Sequence, residues 1–149
     1  MFYRMELYDG LERVYAGNAE FLTGELSFLF EYGHILNKTG KYKESNSILF
    51  QGSKLSSDPM FHNIIGNNYK ELEEYDLAAE SYRKAFSILP NRLYPLYLSA
   101  KLYLESNDTL NAISYARQAI EFIPKVESPA TRDMKKEMND ILHVKLSRD

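Results

Sequence analysis

The sequence predicts an all-α fold, in which antiparallel helix pairs repeat along the chain, stack into an α-solenoid and end in a C-terminal capping helix. Three observations carry this expectation. Small residues recur at Gly33, Gly66 and Ala100, at intervals of 33 and 34 residues. Two further sets keep the same interval: Ser45, Ala78 and Ala112, then Gly52, Ala85 and Ala119. Turn-forming residues, finally, stand between the helical stretches, at Gly40, Glu73-Glu74 and Asn107-Asp108. Periodicity at this interval is the signature of stacked helical hairpins, each too small to bury its own apolar face.

The elements follow in order. Residues 3–16 carry Leu7, Leu11, Val14 and Tyr15 at helical spacing. They resemble the second helix of a pair whose first helix is missing, so the chain reads as a piece of something longer. Helices are then expected near 25–38, 41–55, 59–72, 75–89, 93–106 and 109–122. Asp58-Pro59 and Ser128-Pro129 each place an N-cap before a proline at the first helical position. Pro95 is tolerated only in a first turn, which puts the start of its helix near Leu93. Over 129–146, Met134, Met138, Ile141 and Leu142 form one apolar stripe, with Lys135, Lys136, Glu137 and Asp140 opposite and turned to water. That is the pattern of a cap over the last pair.

Gly66, Tyr69, Tyr75, Ala78, Tyr82, Ala85 and Pro90 together resemble the tetratricopeptide repeat, a helical hairpin of about 34 residues. The resemblance implies a right-handed superhelix forming one domain over 1–149, with a partial repeat at 3–16, repeats at 26–58, 59–92 and 93–126, and the cap at 129–146. Each matching residue has a physical task. Gly66, Ala78, Ala85 and Ala100 let helix axes approach to about 8–10 Å, and the tyrosines fill the space left beside them. Two departures stand out. His62 occupies a place where the family has a large apolar residue, and Gly52 weakens the second helix of the first pair.

Several short phrases resemble the repeat region C-terminal to bacterial O-antigen ligase and polymerase-type membrane glycosyltransferases. They are Phe28 to Gly33, Asp58 to Phe61, Leu89 to Pro95, Ala100 to Tyr103, Pro124 to Ser128 and Ala130 to Met134. This implies a soluble appendage of an inner-membrane protein of surface-polysaccharide biosynthesis, with the catalytic part elsewhere and the side of the membrane left open. The alternative is a free-standing adaptor that assembles a protein complex.

Composition bounds the chemistry. The 149 residues carry a formal net charge of −3, with no block of lysine and arginine to meet nucleic acid or anionic lipid. No apolar run approaches the roughly 20 residues needed to insert in a bilayer. There is no cysteine, so disulfides, thiolate ligands and cysteine nucleophiles are excluded. His34, His62 and His143 lie on three different helices without a metal-ligand spacing. No phosphate loop and no nucleophile elbow occurs. The sequence therefore implies no catalytic residue, metal or cofactor, and a module that is not an enzyme.

What remains is the concave groove lined by the first helix of each pair. Its inward residues should be Phe30, His34 and Asn37, then Asn63, Asn67 and Lys70, then Tyr94, Tyr97 and Lys101. Amides, aromatics and two lysines suit a protein or peptide held by its backbone, or a glycan stacked on the rings. Chaperone-adaptor repeats grip a C-terminal carboxylate with Lys and Asn, then Asn, then Lys and Arg. Here the matching places hold Phe30, His34, Ile64, Tyr94 and Leu98, so that grip is absent. The small positions also yield a stability test. Ala85→Leu should overpack a helix crossing and cost on the order of 1–3 kcal/mol, read as a lowered melting temperature.

Overall fold

A computed structural model of the protein describes residues 2–18 and 25–146. All of its described secondary structure is helical: α1 (Phe2–Gly17), α2 (Leu26–Lys38), α3 (Tyr42–Leu55), α4 (Pro59–Glu71), α5 (Tyr75–Ile88), α6 (Tyr94–Glu105), α7 (Thr109–Glu121) and α8 (Pro129–Leu146). Each lies within two residues of its expected place. The chain divides into two compact units, Met1–Ser81 and Tyr82–Asp149.

In the first unit α1 packs on α2, α2 on α3 and α3 on α4. Its core gathers Leu49, Phe61, Ile64 and Ile65, flanked by Phe30, Phe50 and Tyr69. Rings do much of the joining. Tyr15 of α1 lies 5.4 Å from Phe28 and 6.2 Å from Tyr32 on α2, and Phe30 meets Phe61 edge-on at 5.3 Å. Such ring pairs add to simple area burial. In the second unit α6 packs on α7 and α7 on α8, around Leu93, Leu96, Ala100, Ala116, Ala119 and Met138. Met134, Ile141 and Leu142 of α8 pack against this cluster, so the apolar stripe of the cap is used as expected. Its polar face is not wholly turned to water. Lys135 donates to the Phe122 carbonyl, and Glu137 faces α6.

The three hairpin turns share one backbone solution. Gly40, Glu73 and Asn107 all have positive φ, at 81°, 60° and 64°. In each turn two N–H groups reach back to the ending helix: Gly40 to Asn37 and Lys41 to Leu36, Glu73 to Lys70 and Glu74 to Tyr69, Asn107 to Leu104 and Asp108 to Tyr103. This is the Schellman closure, which satisfies the last carbonyls of a helix by passing through a left-handed residue. Helix starts are capped as the sequence implies. Asp58 Oδ1 accepts the Met60 N–H at 2.9 Å, and Ser128 Oγ accepts that of Thr131 at 3.2 Å while Thr131 Oγ1 accepts that of Ser128 at 2.9 Å. At α7, Asp108 Oδ1 accepts the Asn111 N–H at 3.1 Å.

All nine small positions with the repeat interval are buried. Two of them show why. A β-carbon on Gly33 would stand 2.4 Å from Leu49 Cδ2, and one on Gly52 would stand 2.2 Å from Phe61 Cε1. Gly52 thus has a packing role alongside its low helix propensity. α3 runs unbroken through it, because the missing side chain makes room for the Phe61 ring. Replacing Gly52 sets two effects against each other: alanine gains about 1 kcal/mol of helix propensity, while overpacking costs about 1–3 kcal/mol. Against a ring already wedged on Phe30, the clash should win. Gly52→Ala is expected to destabilise by about 1–2 kcal/mol, whereas Gly10→Ala, with no atom within 4 Å of the new β-carbon, should be neutral or stabilising by up to about 1 kcal/mol. Urea unfolding of the two variants checks this, and equal signs would contradict the packing described.

Candidate functional site

The nine groove residues fall into two sets, one in each compact unit. In the first, Phe30 and His34 stand one turn apart on α2 with rings edge-to-face at 6.2 Å. His34 is half-buried, and burial, with Lys38 nearby, pushes its pKa below the ordinary value, so it favours the neutral imidazole. Asn67 and Lys70 are half-buried on α4. Asn63 lies deeper than its groove assignment implies. It is 2% exposed, its amide nitrogen is 3.7 Å from the Met60 sulfur, and its carbonyl oxygen has no protein partner.

Asn37 turns to an interior role that repeat position alone does not disclose. Its amide donates to Asn68 Oδ1 at 2.6 Å, and the Asn68 amide donates in turn to Ser45 Oγ at 2.9 Å and Asn46 Oδ1 at 2.8 Å. The Ser45 hydroxyl donates to the Gly33 carbonyl at 2.6 Å. Four side chains on α2, α3 and α4 thereby form one closed polar network in the interior of the unit. Ser45 and Asn68 are fully buried and Asn46 nearly so. Such a network is stable only while every member is satisfied. Ser45 takes the place that alanine fills at Ala78 and Ala112, and that exception in the repeat was the available signal.

In the second unit the three residues of α6 do come together. Tyr94 and Tyr97 stack at 6.2 Å, and Lys101 Nζ stands 5.0 Å from the Tyr97 ring centre and donates to its hydroxyl at 3.2 Å. A fourth group, unforeseen, joins them from the cap. The Tyr97 hydroxyl donates to Glu137 Oε2 at 2.5 Å, and Lys101 pairs with Glu137 Oε1 at 3.3 Å. The Tyr97 hydrogen bond, and then Lys101, hold the Glu137 carboxyl below the usual carboxylate range. Burial pushes the Tyr97 phenol up, with the Glu137 bond adding to it. For Lys101, burial acts downward, but the bonds to Tyr97 and Glu137 outweigh it and raise the ammonium. The favourable contribution of Glu137 is therefore present above its unfolded pKa and lost as pH falls through the folded one. That of Lys101 is present below its unfolded pKa and lost as pH rises through the folded one. Both side chains are more than 40% exposed, so the pair is a weak fastening. Glu137 could have been found in the sequence, since Met134, Glu137 and Ile141 share one face at i, i+3 and i+7.

The tetratricopeptide repeat family matches residues 61–92 and 94–126, and these segments are tetratricopeptide repeats. No curated protein matches the chain. Among solved structures, the type III secretion translocator chaperone SycD of Yersinia enterocolitica superposes with a TM-score of 0.74 at 21% identity, over 83% of this chain and 94% of that one. PcrH superposes at 0.70 and 20% identity, over 78% and 94%. MamA from Desulfovibrio magneticus RS-1 superposes at 0.72 and 16% identity, over 80% and 68%. A second MamA structure from RS-1 has only 65% of its length spanned by this chain. These identities establish the fold, an all-α solenoid of the tetratricopeptide type. Neither the family match nor the structures support the polysaccharide-ligase resemblance or a glycan ligand.

The buried network sets an expectation of its own. Asn68→Ala removes three hydrogen bonds and strands partners that water cannot reach, so it should cost about 2–4 kcal/mol. Thermal or urea unfolding measures it, and a loss under about 1 kcal/mol would mean that the four side chains do not act together.

Proposed function

We propose that this chain is a non-catalytic scaffold that holds an extended segment of a partner protein against the first helices of its repeats, as a free-standing adaptor or chaperone rather than as the appendage of a polysaccharide ligase. The observation that carries this is the ladder on α6. Tyr94, Tyr97 and Lys101 occupy successive turns of a first helix, half-exposed, with rings stacked and a cation over one of them. A flat aromatic surface with an adjacent donor grips a peptide at low entropic cost, because tyrosine has few torsions to freeze. Polypeptide recognition also agrees with the structural relatives. SycD has been solved with a peptide of the translocator YopD, PcrH with the chaperone-binding region of PopB, and Scc3 with CopN. At low identity this is support by analogy.

Among the described residues no three His, Asp or Glu side chains converge on a metal-sized space, and no helix is long and apolar enough to cross a membrane. The perturbed groups on α6 and α8, Tyr97, Lys101 and Glu137, are bonded to one another, as in ordinary ion pairs.

Photo-crosslinking tests the reading. A benzophenone amino acid is placed at Tyr94 on α6, or at Arg117 on the second helix α7, in the full chain expressed in its own host. Protein adducts from position 94 and none from 117 are expected, identified by mass spectrometry. Adducts from 117 alone would move the binding face to the second helices and overturn the proposal.

A further inference from the structure

The contact between α6 and α8 has the form of a filled binding site. A carboxylate needs donors aimed at its two oxygens, and Glu137 has them: the Tyr97 hydroxyl on Oε2 and the Lys101 ammonium on Oε1. Both donors stand on the helix face that the repeat assigns to ligand, while the carboxylate arrives from the cap. Its hold on that place is loose. Glu137 is 43% exposed on its side chain, and the neighbouring Met138, fully buried, anchors α8 in the core without it. The glutamate can therefore swing out by side-chain rotation alone, leaving the cap docked. Beside it lies an open hollow of about 260 Å³, walled by Leu104, Ile141 and Val144, with Glu137 and Asp140 at its edge.

We infer that Tyr97 and Lys101 form a carboxylate-accepting subsite, occupied in cis by Glu137, and that a partner enters it with an acidic side chain while seating an apolar one between Leu104, Ile141 and Val144. The inference rests on the reading of α6 as part of a peptide-binding face and adds the chemistry of the peptide and a brake on its binding. The cis carboxylate competes with the incoming one, and it also repels it while the two share the site. An acidic residue on the partner is required, because a neutral amide cannot replace the charge that Lys101 would lose on release of Glu137. The apolar neighbour contributes the burial that an exposed ion pair lacks.

The probe is the blocked peptide acetyl-Leu-Ser-Glu-Ser-Leu-amide, with its Gln counterpart, titrated into the full chain while backbone amide shifts are followed by NMR. With native protein the Glu peptide should shift residues 94–104 and 137–144. Glu137→Gln should bind the Glu peptide about two- to five-fold more tightly, the range set by one exposed charge pair, and leave the Gln peptide unchanged. Lys101→Met should abolish the preference for Glu over Gln. Equal or weaker binding of the Glu peptide by Glu137→Gln would overturn the inference, as would absence of shifts on α6 with either peptide. Shifts confined to α2 and α4 would overturn it and leave the scaffold reading standing. That reading is decided separately by the crosslinks from position 94.

Discussion

At Gly33 and Gly52 the backbone of one helix touches the side chain of another, with no room for a β-carbon between them. Much of the fold follows from this closeness. A helix of 13 or 14 residues is marginal alone in water, so its stability has to come from the neighbour it lies against. Close approach demands a vacancy on one helix and a bulky group on the other, and the chain supplies them in pairs: Gly33 with Leu49, Gly52 with Phe61. The alanines of the later repeats, Ala78, Ala85, Ala112 and Ala119, are buried to the same degree. Because these vacancies are buried between neighbouring helices, they set how closely each helix lies on the next, and hence where the side chains on its open face stand.

This explains what could be read directly from the sequence. Intervals, caps and turns are local or periodic properties, so the helices, the N-caps at Asp58 and Ser128 and the turns at Gly40, Glu73 and Asn107 were all visible in one dimension. At Gly52 only the propensity cost was legible, because that is a one-helix property, whereas its packing role lies with the Phe61 ring on the next helix. The same limit governs the candidate site. Tyr94, Tyr97 and Lys101 share a helix, and spacing alone brought them together. Asn37 and Asn63 also had the right spacing, but their environment is made by other elements: Asn68 from α4 engages one, and the interior encloses the other. Glu137 was legible only in part: its spacing from Met134 and Ile141 places it at the edge of the packing stripe, but its partners Tyr97 and Lys101 stand on another helix.

The polar network around Asn68 shows how a common backbone acquires an individual interior. In the later repeats the equivalents of Ser45 are alanines, which carry no polar group to satisfy. Where the first hairpin meets α4, a serine hydroxyl and three carboxamides are joined instead, and they are stable because each finds a partner on a different helix. Such an arrangement adds little net stability over an apolar one of equal volume, but it penalises every alternative packing by leaving groups unsatisfied. It fixes which helices meet.

That specificity limits how the chain can change by duplication and exchange of its parts. The three hairpins close through the same left-handed turn, so as backbones they are interchangeable units. Their interiors are not. A second copy of the first hairpin, inserted ahead of a segment lacking the counterpart of Asn68, would bury Ser45 and Asn46 without their shared donor. A copy of the third hairpin, with Ala112 and Ala119 at those places, carries no such demand. Lengthening of the array by internal copying is therefore favoured from its C-terminal repeats, and the first hairpin is confined to the position it occupies.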